Sequence, residues 1–160
     1  MREGFVIEGA EELEAKLKTL PVKVQQDVVR KAVRAAQNVL VKAARDDAGT
    51  LPTSPLTGGT MRALLRTHIV PKVAKKQKGS YSIHVQMRSG VEEFYHTSEK
   101  TGATSYIPAA IEYGHGSTKE LAARPFLRPA ARRTIRERIR VLTRELANGI
   151  LREAIKGRLG

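Results

Sequence analysis

Apolar residues recur along this chain at two spacings, and the change from one to the other lays out its elements. Between Ala10 and Leu20 they fall at Leu13, Leu17 and Leu20, a helical spacing, with Glu11, Glu12 and Glu14 in the first turns, where a helix dipole favours acid. Pro21 punctuates the chain and can open the next helix. From Val22 to about Asp46 two stripes run side by side. One is Val22, Val29, Val33, Ala36, Leu40 and Ala43; the other is Val24, Val28, Ala32, Ala35 and Val39. Adjoining stripes make a wide face, so this helix is expected to be covered by more than one element. The spacing then shortens. Tyr81, Ile83, Val85 and Met87 alternate with Ser82, His84, Gln86 and Arg88, the period of a half-buried strand. Its partner is expected over Thr67 to Val73, after a helical turn at Met61, Leu64 and Leu65, which makes the pair a hairpin with a lysine-rich tip. Tyr106 to Tyr113 reads as a third central strand, with Pro108 marking an edge position or a bulge. Beyond Pro129, helical spacing returns at Ile135, Ile139, Leu142, Leu146 and Ile150. Gly149 is a potential kink in that helix, since glycine costs about 1 kcal/mol relative to alanine.

These elements predict an α+β fold in a single domain over residues 1–160: a small antiparallel sheet packed against a long N-terminal helix and a long C-terminal helix, with extended loops. Phe5 to Gly9 reads as an edge strand or as part of an N-terminal arm over 1–9. Residues 48–59, with two Pro, three Gly, three Thr and a Ser, form one loop. Residues 89–104 form another, anchored by Val91, Phe94 and Tyr95, with an exposed portion from Thr97 to Gly102.

The segment from Tyr106 to Ala131 organises the rest. An apolar run ends in the Gly-rich turn Gly114-His115-Gly116-Ser117-Thr118, and Arg124-Pro125-Phe126-Leu127-Arg128-Pro129-Ala130 follows. Each proline fixes its own φ and pushes the residue before it toward an extended conformation. Arg124 and Arg128 are therefore expected to be extended, with Phe126 and Leu127 presented as an apolar wedge. Pro129 suits the first turn of a helix, where its missing N–H needs no partner. The reading is of a device that locks the start of the C-terminal helix against a strand. Glu112, beside the turn, reads as a structural hydrogen-bond acceptor or as an intersubunit partner for arginine.

Ile111-Glu112-Tyr113-Gly114 followed by Pro125-Phe126-Leu127-Arg128-Pro129-Ala130 resembles the signature of the tail-completion (head–tail joining) family of long-tailed bacteriophages. A Gly-x-x-x-Leu opening at Gly9 to Leu13, Leu20-Pro21 and Thr57-Gly58 extend the likeness over most of the chain. His115-Gly116 departs from the family's Gly-Thr, and Gly59-Thr60-Met61 interrupts its Thr-Gly-x-Leu run. The resemblance implies a structural virion protein, made in the host bacterial cytoplasm and placed at the neck. There it would form a ring of identical subunits, sixfold like the tail tube. Its neighbours would be the head-connector and the tail-tube or tail-terminator proteins, with a possible contact to packaged DNA.

Charge bears on the partners. The net charge is +13, and it is concentrated: residues 124–160 hold 11 basic and 3 acidic groups, against 9 and 8 in residues 1–50. Arg136, Arg140 and Arg144 lie four apart on a helix face, with Arg132 one step before them. Such a face meets an acidic protein or nucleic acid, or is simply solvated. Candidate contacts are thus Leu51, Pro52, Pro55 and Leu56 in the first loop and Lys75, Lys76 and Lys78 at the hairpin tip. To these are added Glu112, Arg124, Phe126 and Arg128 around the wedge, and Arg132, Arg136, Arg140 and Arg144 on the helix. A basic nucleic-acid-binding protein is the alternative function, against which stand an aromatic content of 4% and no recognised binding module.

Nothing in the pattern reads as catalysis, a metal site or a cofactor site. There is no cysteine, which excludes disulfides and thiolate chemistry. The four histidines, His68, His84, His96 and His115, share no metal-ligand spacing, and neither a Walker-type loop nor a Gly-x-Ser-x-Gly elbow occurs. His115, between glycines, fits a turn better than an active site. No apolar run approaches the roughly 20 residues that span a bilayer, and the start has no signal-peptide core, so a soluble protein without a membrane partner is expected.

Overall fold

The structure, a computed structural model, describes residues 9–52, 58–73, 81–114 and 122–158. In chain order the helices and strands are α1 (Ala10–Lys18), α2 (Val22–Gly49), α3 (Gly59–His68), β1 (Ile69–Val73), β2 (Ile83–Met87), β3 (Tyr95–Thr97), β4 (Thr104–Tyr106), α4 (Ile107–Tyr113), α5 (Leu127–Arg133) and α6 (Ile135–Arg158). The fold is α+β, with two long helices, as the periodicities predict. The strands form two antiparallel pairs, β1–β2 and β3–β4, where one small sheet was expected. No helix among the described residues is long and apolar enough to cross a membrane.

The chain divides into two compact units, one of Met1–Val39, Val73–Ile83 and Ile135–Gly160, the other of Leu40–Lys72 and His84–Thr134. In the first, α1 lies on α6 and the early turns of α2 bury Val28, Ala32 and Ala36, with Ile83 and Ile150 also buried. These α2 positions are four apart and draw from both stripes, Ala36 from one and Val28 and Ala32 from the other. Between α2 and α6 the backbones approach closely. A Cβ built on Gly149 would stand 2.6 Å from Val28 Cγ1, 3.3 Å from Cγ2 and 3.4 Å from Cβ. Gly149 is therefore no kink: α6 runs through it, and the missing side chain is what lets Val28 fill the space.

The second unit holds the larger core. Leu40, Val41, Ala44, Ala48 and Leu51 at the end of α2 meet Leu65, Ile69, Met87, Phe94, Ile111, Phe126 and Ala130. Phe94 is fully buried, with the rings of His68 and Tyr106 edge-on to it at 5.7 and 6.3 Å. Edge-to-face contacts of this kind suit the quadrupoles of aromatic rings. Most of the expected loop 89–104 is thus structured. Val91 packs on the core, a 3₁₀ turn covers Glu92–Phe94, and β3 pairs with β4 in the register Tyr95–Tyr106, His96–Ser105 and Thr97–Thr104. Only the portion from Ser98 to Ala103 is a connection, closed by the N–H of Ser98 on the Ala103 carbonyl at 2.9 Å.

Three further expectations are corrected here. The expected third strand over Tyr106 to Tyr113 is the helix α4, and Pro108 sits in its first turn, not at a sheet edge. Its buried residues, Pro108, Ile111 and Glu112, are spaced as one helix face. The helical turn at Met61 to Leu65 is a ten-residue helix, so β1 begins at Ile69, two residues later than expected. The C-terminal helix begins at Leu127 and is interrupted at Thr134, whose hydroxyl donates to the Ala130 carbonyl at 2.8 Å. The backbone N–H of Thr134 donates to the same carbonyl at 3.1 Å.

The Val28–Gly149 contact has a measurable consequence. In an exposed helix Gly→Ala gains about 1 kcal/mol. Gly149→Ala here should lower the urea midpoint instead, because overpacking costs about 1–3 kcal/mol and a β-branched valine on a helix turns away with difficulty. Val28→Ala in the same chain should recover part of that loss, so that the double variant is less destabilised than the sum of the singles.

Candidate functional site

The centre of the second unit is a carboxylate with nowhere to go. Glu112, in the last turn of α4, is 2% exposed. A carboxylate in such a place is stable only when its oxygens are filled with donors. Here Oε2 accepts the backbone N–H groups of Phe126 and Leu127, at 2.8 and 2.9 Å. Oε1 accepts the N–H of Arg128 at 3.0 Å and the Arg128 Nε–H at 3.1 Å. The N–H groups at the start of a helix have no partners within it, and the dipole there favours negative charge. Glu112 thus does from fourteen residues away what a capping side chain does locally, and α5 has no capping side chain of its own.

The joint is reinforced on both sides. Arg128 Nη2 donates to the Glu112 carbonyl at 2.7 Å, and the N–H of Arg124 donates to the Ile111 carbonyl at 2.7 Å. The Arg128 guanidinium also lies 4.8 Å from the centre of the exposed Tyr113 ring. Gly114 ends α4 with φ 82° and ψ 162°, a region essentially confined to glycine. Phe126 is completely buried and Leu127 packs against the same core, so the wedge exists as expected. Its seat is the helix α4 and not a strand, and Arg128 is helical where an extended conformation was expected. Pro129 does lie in the first turn of its helix. The Glu112 oxygens accept four hydrogen bonds away from solvent, an arrangement that holds backbone.

No family model matches the chain, and neither a curated protein nor a solved structure does.

The other candidate contacts separate into buried and exposed groups. Leu51 is a core residue, and its carbonyl and that of Pro52 accept guanidinium N–H groups from Arg62 and Arg124, at 3.3 and 3.1 Å. Leu51 and Phe126 are both buried in the core of this chain. The first part of the expected loop 48–59, from Ala48 to Pro52, belongs to the second unit's core and its edge. Pro55, Leu56, Lys75, Lys76, Lys78, His115 and the arm residues 1–8 lie outside the described residues.

The arginines do reach the surface. Arg132, Arg136, Arg140 and Arg144 are all exposed. Among the described residues Arg132, Arg136 and Arg140 have no carboxylate within ion-pair distance, while Arg144 meets only the adjacent Glu145, at 3.4 Å. The interruption at Thr134 puts Arg132 on α5 and the other three on α6. Arg133 is engaged elsewhere, 2.8 Å from Asp47, which raises its pKa. Arg138 is half-buried, and burial lowers its pKa, so it is not part of the exposed row.

Sequence reasoning missed one feature. An open, mainly apolar cleft of about 440 Å³ in the second unit is lined by Gly58, Thr60, Met61, Leu64, Glu93, His96 and Ile107. Its walls come from α3, the β3 end of the segment 92–97 and the start of α4. Ile107, at the start of the helix that was read from sequence as a strand, lies there with Met61 and Leu64.

Removal of the Glu112 charge should be far more damaging than removal of its arginine. Glu112→Gln sets an amide against backbone donors that cannot turn away, and should cost about 3–5 kcal/mol in urea unfolding. Arg128→Ala leaves all three backbone N–H groups in place and removes a half-exposed side chain, so about 1 kcal/mol is expected. Equal losses in the two variants would mean that the ion pair, and not the backbone cap, holds the joint.

Proposed function

We propose that this chain is a structural virion protein of a tailed bacteriophage, part of the ring at the neck that completes the tail and joins it to the DNA-filled head. The observation that carries the reading is the Glu112 joint. The two short segments on which the resemblance to tail-completion proteins rests are separate in sequence, and they meet in space through the Glu112 carboxylate and the backbone of Phe126, Leu127 and Arg128. A motif whose two halves brace one another has a mechanical purpose. It fixes the start of α5, which carries Arg132, as a protein loaded between a head and a tail requires.

The exposed arginines favour one second reading, a nucleic-acid-binding protein. Under it, association with random duplex DNA would weaken as salt rises, with a slope in log K against log salt of about −3.6 if four phosphates are neutralised. The neck reading is preferred because the joint and the core use the chain's distinctive residues for rigidity, whereas few exposed aromatic rings are offered for base stacking.

In particles carrying an epitope-tagged copy of the chain, gold-labelled antibody should mark the head–tail junction in electron micrographs. Loss of the chain should leave DNA-filled heads and separate tails. Particles that are infectious without the chain, or that never carry the label, would overturn the assignment.

A further inference from the structure

One face of α6 changes character along its length. Arg136, Arg140, Arg144, Ala147, Leu151 and Ile155 fall within an arc of about 100° at 3.6 residues per turn. All six are exposed, Leu151 and Ile155 to 60% and 50%. The face is therefore cationic from Arg136 to Arg144 and apolar from Ala147 to Ile155. A phosphate backbone would match the arginines but offers nothing to cover Leu151 and Ile155. The surface asks for a partner that is apolar with acid beside it.

This chain carries such a surface in its second unit. The cleft walled by Met61, Leu64 and Ile107 is apolar, and the exposed carboxylates Glu92 and Glu93 lie on the turn at its edge. We propose that the Leu151–Ile155 end of α6 in one copy seats in this cleft of the next copy, with Arg144 turned toward Glu92 and Glu93. The two surfaces are different, so the contact is head-to-tail, and a repeated head-to-tail contact closes into a ring or runs on as a filament. Covering the aliphatic pair supplies the driving force, and the charges select the register. The proposal deepens the ring reading above. Its test uses the purified chain, so a failed contact is distinguishable from a failed virion assignment.

The absence of native cysteine makes the test clean. Full-length chain carrying His96→Cys and Ile155→Cys, mildly oxidised, should give disulfide-linked trimers and larger species on a non-reducing gel. Each single variant should stop at dimers, since one thiol per chain can join only two chains. Adding Leu151→Glu, at a largely exposed position, should abolish the ladder while leaving the circular dichroism of the parent. Sedimentation of the unmodified chain supplies an arm without thiols: assemblies beyond a dimer that Leu151→Glu disperses support the contact. A double-cysteine variant that stays monomeric, closes its disulfide within one chain or stops at dimers overturns it. So does a ladder that survives Leu151→Glu, or assembly that appears only when duplex DNA or another protein is added.

Discussion

The second unit depends on a single charged group kept out of water. A carboxylate removed from solvent is tolerable only with its oxygens saturated, and the Glu112 side chain is saturated mostly by backbone. The consequence is geometric as well as energetic. Backbone donors cannot rotate to another partner, so the carboxylate fixes where α5 starts with respect to α4, and with it the burial of Phe126 and Ala130. The contact also closes a loop of fourteen residues, at an entropic cost of about 2 kcal/mol by the logarithmic length term. Charge-assisted hydrogen bonds of about 1.5–3 kcal/mol each outweigh that cost, which a single neutral bond of about 1 kcal/mol would not.

Sequence showed the parts of the fold in which a pattern persists for many residues. The two long helices are legible because their apolar positions repeat over many turns, and the 81–87 strand because its alternation is strict. Glu112 read from sequence as a structural acceptor or as an intersubunit partner for arginine, and the N–H groups of Phe126, Leu127 and Arg128 show the acceptor. The segment 107–113 was not legible, because a short apolar run satisfies a strand and a buried helix equally well. Its alanines and the proline in its first turn agree with the helix, but only the burial of Pro108, Ile111 and Glu112 on one side decides between the two. Gly149 was misread for a related reason. Helix propensity describes an isolated helix, whereas the residue's role is set by Val28, more than a hundred positions away. The cleft left no trace in sequence, since it depends on elements that only the tertiary fold brings together.

Two kinds of arginine emerge from the same charge run. Arg124 and Arg128 spend their guanidinium groups on backbone carbonyls and on Glu112, inside the joint. Arg132, Arg136, Arg140 and Arg144 remain at the surface. A high net charge alone says little about which arginines meet a partner, because planar, multidentate guanidinium groups serve equally well as internal braces. The internal braces tie Pro52 and Glu112 to the second unit, whereas the exposed row stays at the surface.

An exposed charge row is by itself ambiguous, and the apolar continuation of the α6 face is what narrows it. Polyanions are matched by charge spacing and reward no aliphatic contact, so a face built only for them has no reason to keep Leu151 and Ile155 in water. Contiguous apolar surface rimmed by charge is the kind of surface that a protein partner covers. On the contact proposed above, one gene product would supply both surfaces, an apolar cleft edged by acid in the second unit and the α6 face in the first. On the proposed contact, buried charge settles the local structure of the second unit, and exposed charge would orient one copy on the next.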